Sequence, residues 1–403
     1  MKLHIDFDSY FVNAQRLLNK ELCNTPCVIY AGSDEDFFNQ DAKYIDNKIA
    51  FMSSIEVARS ENKVIDYRHF TAIAVSYEAK KYGIKVGDKL NIAYQKCPNL
   101  KIARSNIRFY KELSFKVRQF LESKIPVIEQ FSIDEFFGDL EGFKKDAEVL
   151  DYAKYLQKEL LDKFGLPASI GINNSKWGAK FLTDLAKPFG IRMEYDLSNA
   201  IKGIDIKNFA GIGREIQKYL RAYGVNTLDE LLQKEYLLDK YGKNGKKIIA
   251  RIKGVDNEKV EEIKDIKSHA ISKSFKPISD YDELRRRVKI LARYLCVWIS
   301  KHKYHPKKIE ISIKYGNKLE HIGVEIMQPF DEKNLIDNAV KGFEILMKNT
   351  KNVNVYYIGI AANNLDKTYC ENIFQNTTKN QKLNETLSAI RDKFGISCIK
   401  YGG

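Results

Sequence analysis

The sequence His-Ile-Asp-Phe-Asp at residues 4–8 decides most of the interpretation of this chain. Apolar and polar residues alternate through it, which predicts a half-buried strand that ends in carboxylates. A second acidic strand end, Phe-Ser-Ile-Asp-Glu, lies at residues 131–135. If the two ends meet, their carboxylates surround a site for Mg²⁺ or Mn²⁺, which prefer oxygen ligands. Two such ions stabilise both the attacking and the leaving oxygen when a group at phosphorus is displaced. The pattern therefore predicts a phosphoryl- or nucleotidyl-transfer enzyme.

The length and composition of the chain limit its class. Its 403 residues predict several domains, and 44% hydrophobic with 30% charged residues indicates a folded protein. A net charge of +14 favours a polyanionic partner. We expect neither a signal peptide nor a membrane span, because no apolar run is long enough. The six cysteines are scattered, which predicts reduced cytosolic thiols rather than a zinc site.

The adjacent carboxylates Asp134 and Glu135 need a special backbone. Neighbours on a straight strand point to opposite faces, so both can bind metal only at a turn or bulge, and Gly138 just beyond is compatible with a tight hairpin. Asp-x-Asp alone is a weak signal, since the chain contains three examples. The pair Asp6 and Asp8 stands out because it ends an apolar strand, where unpaired carboxylates are costly without a cation.

The later part of the chain predicts modules that bind a polyanion. Gly-Ile-Gly at residues 211–213 precedes a helical run, which predicts a helix-hairpin-helix whose backbone a phosphate can approach. Over residues 270–360 the elements run strand, helix, strand, strand, helix, strand, the split-βαβ, ferredoxin-like pattern. Residues 285–318 carry eleven Lys and Arg against one acid. The Gly-Ile-Gly segment can also be a plain connection between helices, and the basic stretch can also be a solvated face; both alternatives remain open.

Five segments together resemble the Y-family (DinB/UmuC-type) translesion DNA polymerases, and the resemblance covers nearly the whole chain. The segments are Ile-Asp-Phe-Asp-Ser-Tyr-Phe at 5–11, Ala-Val-Ser-Tyr-Glu-Ala-Lys-Lys-Tyr-Gly at 74–83, Phe-Ser-Ile-Asp-Glu at 131–135, Ala-Lys-Pro-Phe-Gly at 186–190 and Ile-Arg-Asp-Lys-Phe-Gly at 390–395. Their order along the chain makes the match specific. The resemblance implies an α+β right-hand polymerase with a ferredoxin-like palm, small fingers, a helical helix-hairpin-helix thumb and a βαββαβ little-finger domain.

The resemblance also implies domain boundaries. They are a palm at 1–19 and 104–194, fingers at 20–103 with an insertion at about 32–70, a thumb at 195–262, a linker at 263–269, a little finger at 270–362 and a C-terminal tail at 363–403. The insertion makes the fingers longer than is usual in the family. Lys80 stands where the family often has arginine, which loses bidentate phosphate geometry.

The roles of individual residues follow from the same resemblance. The catalytic and metal-binding positions are Asp6, Asp134 and Glu135, with the Phe7 backbone carbonyl as a further metal ligand. Asp8 is expected to shape the site without binding metal. The nucleotide-binding positions are Tyr10, Phe11, Tyr77, Lys80 and Lys187, and Phe11 is the steric gate against a ribose 2′-OH. The DNA-binding positions are Gly211, Gly213, Arg214, Arg285, Arg286, Lys308 and Lys314. A degenerate sliding-clamp peptide is expected at Ile373 and Phe374.

The implied function is a template-directed DNA polymerase of the low-fidelity, lesion-bypass type, with a mutator and DNA-repair role. It adds deoxynucleotides to a primer 3′-OH with two Mg²⁺ ions, for which Mn²⁺ can substitute. The expected partners are primer–template DNA, deoxynucleoside triphosphates and the sliding clamp, and the expected state is a monomer in a bacterial-type cytosol, associated with the nucleoid.

Two other classes of function remain open. A nucleotidyl cyclase-like enzyme shares two-metal chemistry but has no use for a helix-hairpin-helix or a basic domain. A non-catalytic DNA-binding scaffold has no reason to keep three carboxylates on apolar strands.

Overall fold

The computed structural model describes residues 1–31, 37–38, 59–60, 63–64, 70–262, 266–326, 331–348, 350, 353–367, 386–387, 390–391 and 398–399. The chain forms two compact units. The first comprises Met1–Ala31 and Ile49–Lys264, and the second comprises Gly32–Lys48 and Asp265–Gly403. No helix in the described ranges is long and apolar enough to cross a membrane.

The described residues form both strands and helices throughout the chain. The strands are β1 (Lys2–Phe7), β2 (Cys27–Tyr30), β3 (Arg59–Ser60), β4 (Lys63–Val64), β5 (Ala72–Val75), β6 (Lys101–Arg104), β7 (Val127–Gln130), β8 (Glu135–Asp139), β9 (Ala168–Asn173), β10 (Ile191–Met193), β11 (Ser268–Ile278), β12 (His305–Tyr315), β13 (Lys318–Glu325) and β14 (Val355–Asp366). The α-helices are α1 (Tyr10–Leu18), α2 (Tyr77–Lys80), α3 (Leu90–Lys96), α4 (Ile107–Glu122), α5 (Asp146–Phe164), α6 (Lys176–Ala186), α7 (Arg214–Ala222), α8 (Leu228–Gln233), α9 (Gly242–Ile252), α10 (Tyr281–Lys301) and α11 (Glu332–Lys348).

A five-stranded sheet with the order β10-β9-β1-β8-β7 forms the centre of the first unit. β1 pairs antiparallel with both β8 and β9. Numbered along the chain, the strands β1, β7, β8 and β9 lie 4-1-3-2 across the sheet, which confirms the ferredoxin-like arrangement. The buried residues Leu3, Ile5 and Phe7 of β1 share one core with the apolar faces of α4 and α5. Gly171 on β9 lets α6 pack closely, because a Cβ there would collide with the Ala179 carbonyl oxygen.

The acidic segment at 131–135 is a turn that connects two strands of this sheet. The sequence predicted that this segment ends a strand, but β7 ends at Gln130 and β8 begins at Glu135, so four of the five residues lie between the strands. The role expected for Gly138 as a hairpin residue is wrong. Gly138 lies inside β8 opposite Leu3, and a Cβ there would lie 3.0 Å from the side chain of Ile125, so close packing requires this glycine.

The rest of the first unit consists of a small sheet and a helical region. β5, β2 and β6 form a three-stranded sheet in that order. The helices α7, α8 and α9 share a core that includes Leu220, Leu228 and Ile248. The helix α8 ends at Gln233, because Lys234 leaves helical geometry (φ −125°, ψ 36°) and a 3₁₀ segment follows at Glu235–Tyr241. The sequence analysis did not predict α9.

The second unit is a four-stranded antiparallel sheet with the order β11-β14-β12-β13. The predicted order of elements, βαββαβ, is confirmed. The ferredoxin-like label is wrong for this domain, because its strands lie 1-4-2-3 rather than 4-1-3-2 across the sheet. β14 occupies a central position since its buried residues Ile358 and Ile360 pack in the same core as α10 and α11.

Two residues of the predicted insertion belong to the second unit. Phe38 is only 1% exposed within the core of that unit, and Phe37 stacks on Tyr294 with ring centroids 4.5 Å apart. Arg286 donates a hydrogen bond of 2.8 Å to the Phe38 carbonyl, and the Arg287 guanidinium lies 4.3 Å from the centre of the Phe38 ring. These two phenylalanines therefore complete a core whose other parts lie far along the chain.

One residue of the predicted C-terminal tail is also anchored in the second unit. Arg391 donates to both carboxylate oxygens of Glu332 at 2.5 and 3.0 Å. The Arg391 and Glu332 side chains are 3% and 2% exposed, so the ion pair is buried. A buried arginine held in this bidentate way fixes its segment to the first turn of α11.

Candidate active site

The register of the β1–β8 pair brings the two acidic segments together. Asp6 is the cross-strand partner of Glu135, and the Cα atoms of such partners lie about 5 Å apart. The Phe7 N–H donates to the Asp134 carbonyl oxygen at 3.1 Å. Three carboxylates from two distant parts of the sequence therefore meet at one end of the five-stranded sheet.

Ser132 shapes the turn that presents Asp134 and Glu135. Its hydroxyl oxygen accepts from the Glu135 N–H at 3.1 Å, and the hydroxyl donates to an Asp134 carboxylate oxygen at 2.5 Å. The turn thus resolves the problem of two adjacent carboxylates on one strand, because only Glu135 belongs to β8.

Burial and mutual repulsion raise the proton affinity of these carboxyl groups. Burial raises the pKa of Asp6 to about 7; Lys187 opposes the shift and Glu135 adds to it. Burial and the Glu135 charge also raise the pKa of Asp134, although its bond with Ser132 opposes the shift. The cluster therefore has an excess of negative charge that a cation would relieve.

Two lysines from one region of the chain supply positive charge to the cluster. Lys187 Nζ lies 2.7 Å from Asp6 Oδ2 and 3.0 Å from Asp184 Oδ1. Burial lowers the pKa of Lys187, but the two carboxylates outweigh it and raise the pKa above its ordinary value. Lys180 on α6 donates to Glu135 Oε1. Lys180 was not predicted from the sequence, although a lysine flanked directly by the apolar residues Ala179 and Phe181 was a usable signal.

The carboxylates are not arranged as a ligand cluster. Within the part of the chain that the structure describes, no three His, Cys, Asp or Glu side chains are grouped so as to hold a metal ion. The reason is that Asp6, Asp134 and Glu135 turn to Lys187, Ser132 and Lys180 respectively. The donor set still fits a hard cation, because all donors are oxygen atoms and the pKa values of Asp6 and Asp134 are raised.

Three of the predicted nucleotide-binding residues lie together beside Asp6. The Lys80 ammonium lies 4.0 Å from the centre of the Tyr77 ring. Burial and the nearby Lys187 charge lower the pKa of Lys80, so the two ammonium groups are close enough to repel each other. Burial and the Asp8 carboxylate raise the pKa of Tyr77, which stays protonated. The three side chains form a cationic rim next to the carboxylates.

The two aromatic residues at the start of α1 have different environments. Phe11 is half-buried and stacks on Tyr110, with ring centroids 4.7 Å apart and an interplanar angle of 20°. Tyr10 is 2% exposed, and its hydroxyl donates to the Tyr110 carbonyl at 2.6 Å. The ring and hydroxyl of Tyr10 thus belong to the core, and the nucleotide-binding role predicted for Tyr10 stays a prediction.

The Gly-Ile-Gly segment is an exposed turn in the first unit. Gly211 has a φ of +100°, which favours glycine, and Ile212 is buried as an anchor. Gly213 caps α7, and Arg214 begins that helix with an exposed side chain. The expected α-helix before the turn is only a 3₁₀ segment at Ile206–Asn208.

The basic residues predicted to bind DNA in the second unit lie on two different faces. Lys308 and Lys314 alternate along β12 with buried isoleucines, so they lie on the sheet face opposite the helices. Arg285 and Arg286 lie on α10, where they pair with Glu344 and Glu283 respectively. The basic stretch at 285–318 is therefore divided between a helix and the open face of the sheet. The clamp residues Ile373 and Phe374 lie outside the described residues.

Comparisons with known proteins agree with this geometry. The sequence matches the profile of the impB/mucB/samB family over residues 5–184 and the profile of its C-terminal domain over residues 266–375. The DNA polymerase IV of Clostridium kluyveri is 29% identical over 82% of this chain and 87% of that protein. The DNA polymerase IV of Dehalococcoides mccartyi is 25% identical over 99% of this chain and 96% of that protein. A solved Y-family polymerase chimera of Dbh and Dpo4 covers 91% of this chain and 99% of its own, with a TM-score of 0.75 and 20% identity.

The two profile matches and the DNA polymerase IV relatives identify the chain as a DNA-directed DNA polymerase. The two profile matches together cover more than two thirds of the chain. The chain belongs to the impB/mucB/samB family, the Y-family of lesion-bypass DNA polymerases. Membership of this family implies the use of divalent metal ions, with DNA and nucleotides as partners.

Proposed function

We propose that this polymerase extends a primer 3′-OH with two Mg²⁺ ions, or Mn²⁺ in their place, held by Asp6, Asp134, Glu135 and the Phe7 carbonyl. The observation that carries the proposal is the cross-strand pairing of Asp6 with Glu135. When bound, such ions lower the pKa of the 3′-OH and neutralise charge on the triphosphate.

The cationic rim of Tyr77, Lys80 and Lys187 binds the incoming triphosphate. Lysine ammonium groups act as point charges for phosphate oxygens, and the Tyr77 hydroxyl is a neutral donor beside them. The first turn of α1 adds backbone N–H groups, since the N-terminal turn of a helix has donors without helical partners. This contribution of Tyr10 and Phe11 comes from the main chain and is compatible with the buried Tyr10 ring.

The ring of Phe11 serves as the steric gate. Stacking on Tyr110 holds the ring in one orientation, and its partial exposure leaves an edge available to an incoming sugar. A rigid aromatic edge excludes a 2′-hydroxyl because the protein interior around it is closely packed and yields little.

Primer–template DNA is gripped through its backbone. We assign the five-stranded sheet to the palm (1–19 and 104–194), the three-stranded sheet to the fingers (20–103), the α7–α9 region to the thumb (195–262) and the second unit to the little finger. The Gly211–Arg214 turn offers backbone N–H groups to a phosphate, and Lys308 and Lys314 offer charge on the open sheet face. Binding through phosphates is independent of sequence and weakens steeply with salt.

Clamp binding and cellular location complete the proposal. A monomer in the cytosol associates with the sliding clamp through Ile373 and Phe374. Phe374→Ala is expected to weaken clamp binding in a pull-down or by surface plasmon resonance. A variant that binds clamp as tightly as the parent removes this part of the proposal.

Primer extension with Mg²⁺ tests the metal assignment and separates the polymerase from a cyclase-like enzyme or a DNA-binding scaffold. Asp6→Asn or Asp134→Asn should abolish extension while leaving primer–template affinity nearly unchanged. Asp282→Asn is the matched control, because Asp282 belongs to another Asp-x-Asp motif and lies exposed on α10. Full extension by Asp6→Asn would refute the assignment.

A further inference from the structure

Asp8 lies behind the cationic rim with a buried side chain that receives several hydrogen bonds. Its residue is 2% exposed. The Tyr77 hydroxyl donates to Oδ1 at 3.1 Å, and the Phe189 N–H donates to Oδ2 at 2.8 Å. The Ser169 hydroxyl lies 3.1 Å from both oxygens. An ionised carboxylate only accepts, so all three groups act as donors toward it.

The main chain around Asp8 is itself fixed. The Asp8 N–H donates to the Pro167 carbonyl at 2.9 Å, and Asn13 donates to the Asp8 carbonyl at 2.5 Å. Ser9 follows in the left-handed region with a φ of 43°, a conformation that costs energy for a residue other than glycine. The carboxylate therefore has a defined position between the end of β1 and the start of α1.

The partners of Asp8 come from segments that carry the proposed nucleotide contacts. Tyr77 is a rim residue. Phe189 has a φ of 51° and follows Lys187 by two residues, so its N–H bond to Asp8 fixes the turn from which Lys187 reaches Asp6. Ser169 on β9 connects the same carboxylate to the central sheet.

We infer that Asp8 is a positioning residue for nucleotide binding, which fixes the Tyr77 hydroxyl and the turn at 187–190 in the orientation that the triphosphate requires. The inference rests on the proposed function of Tyr77 and Lys187. Asp8 acts through these residues and binds neither metal nor substrate.

The chemistry of the three donors makes the prediction specific. Asparagine has the shape of aspartate but replaces one acceptor oxygen with an NH₂ donor. In Asp8→Asn this donor faces either the Tyr77 hydroxyl or the Phe189 N–H. Only the hydroxyl can turn to accept, and the N–H cannot, so at least one of the two bonds is lost or reversed.

Steady-state extension with varied nucleotide concentration, combined with DNA affinity at fixed salt, tests the inference. Hydrogen bonds to charged groups are strong enough that Asp8→Asn should raise the KM for nucleotide roughly tenfold or more. Its kcat should fall less, and DNA affinity should stay unchanged. Ser169→Ala is the matched control, because it removes one donor to the same carboxylate without touching Tyr77 or Phe189, and its KM should rise less than that of Asp8→Asn.

The double variant Asp8→Asn/Tyr77→Phe decides whether Asp8 acts through the Tyr77 hydroxyl. If it does, the rise in KM of the double variant is smaller than the product of the single rises. A wild-type KM for Asp8→Asn, or fully multiplicative effects, would overturn the inference. If Asp8→Asn fails to fold, the test falls to Tyr77→Phe, which removes the hydroxyl that donates to Asp8 and keeps the ring. An unchanged KM for nucleotide in Tyr77→Phe then overturns the inference. If Asp6→Asn is inactive while Asp8→Asn behaves as the wild type, this inference is refuted and the proposed function remains intact.

Discussion

Replacing Lys180 with methionine removes the cation that faces Glu135 while keeping an apolar side chain of similar length. Lys180 donates to Glu135 Oε1, and the two side chains are 13% and 17% exposed. His4 Nε2 lies 3.9 Å from the same oxygen. Burial and the charges of Lys180, Lys187 and Lys176 lower the pKa of His4 well below its ordinary value. The variant removes Lys180 but keeps the burial and the other two lysines, so we expect His4 to stay neutral and not to replace the lost charge.

The expected loss in the free energy of unfolding follows from this partial burial. Removing one partner of a fully buried ion pair costs about 3–5 kcal/mol, whereas exposed pairs contribute about 1 kcal/mol or less. Side chains that are largely but not fully buried place the loss for Lys180→Met at about 2–3 kcal/mol. For a unit of this size, such a loss lowers the melting temperature by about 4–12 °C.

The assay is thermal unfolding without DNA or nucleotide, in chelator and in millimolar Mg²⁺. In chelator the variant should melt lower by the amount given above. In Mg²⁺ the difference from wild type should shrink, because a cation at the carboxylates relieves the uncompensated charge on Glu135.

Lys176→Met is the matched control for this experiment. Lys176 lies one turn earlier on α6 and binds Glu129 at 2.6 and 2.7 Å, away from the three-carboxylate cluster. It should destabilise the protein similarly in chelator and gain nothing specific from Mg²⁺. A Lys180→Met deficit that is the same with and without Mg²⁺, or equal recovery of both variants, would refute the reasoning.

Three further changes test other parts of the structure. Phe11→Ala should raise ribonucleotide incorporation by about tenfold or more in single-nucleotide extension, since the edge held on Tyr110 is gone; unchanged sugar selectivity excludes the gate. Phe38→Ala should destabilise the second unit by about 3–5 kcal/mol in urea unfolding, because it empties a core position; a loss below about 0.5 kcal/mol contradicts the core assignment. Burial would raise the pKa of Glu258, but hydrogen bonds from partners that include Arg251 lower it to about 2 from its ordinary 4.5. Its stabilisation is therefore present above pH 4.5 and is lost as the pH falls toward 2, so the stability gap between wild type and Glu258→Gln should close over that range in acid unfolding; a gap that is constant with pH contradicts the ion pair.

The first acidic strand could be predicted because alternation fixes which residues of a strand share a face, whereas the meeting of the two acidic segments was a condition of that argument and an implication of the family resemblance. The pattern at residues 4–8 predicted a strand, and the structure has β1 at Lys2–Phe7. The sequence predicted only that a turn or bulge has to lie near Asp134 and Glu135 if both are to bind metal. The position of the turn was not predicted, because Gly138 looked like a turn residue although its role is close packing against Ile125.

The features that the sequence did not predict share a physical cause, because each of them depends on contacts between segments that are distant in sequence. Lys180 acquires its role only when α6 folds back on β1, and the partners of Asp8, which was expected only to shape the site, become visible only when the 187–190 turn does the same. The order of strands in the second unit depends on the pairing of β14 with both β11 and β12, which no local periodicity reveals. The separation of Arg286 from Lys314 onto two faces likewise depends on the sheet, since both belong to one basic stretch of sequence.

The presence of Phe37 and Phe38 in the second unit has a consequence for how the protein is made. A ribosome releases these two aromatic residues long before Phe275 and the helix α10 against which they pack. During most of translation they have no native partners, and a nascent chain with unsatisfied aromatic surface is prone to misassembly. A fragment that starts at the inter-unit connection leaves the site of Phe38 unfilled, so a transplant of the C-terminal half into another polymerase has to carry residues 37–38 with it.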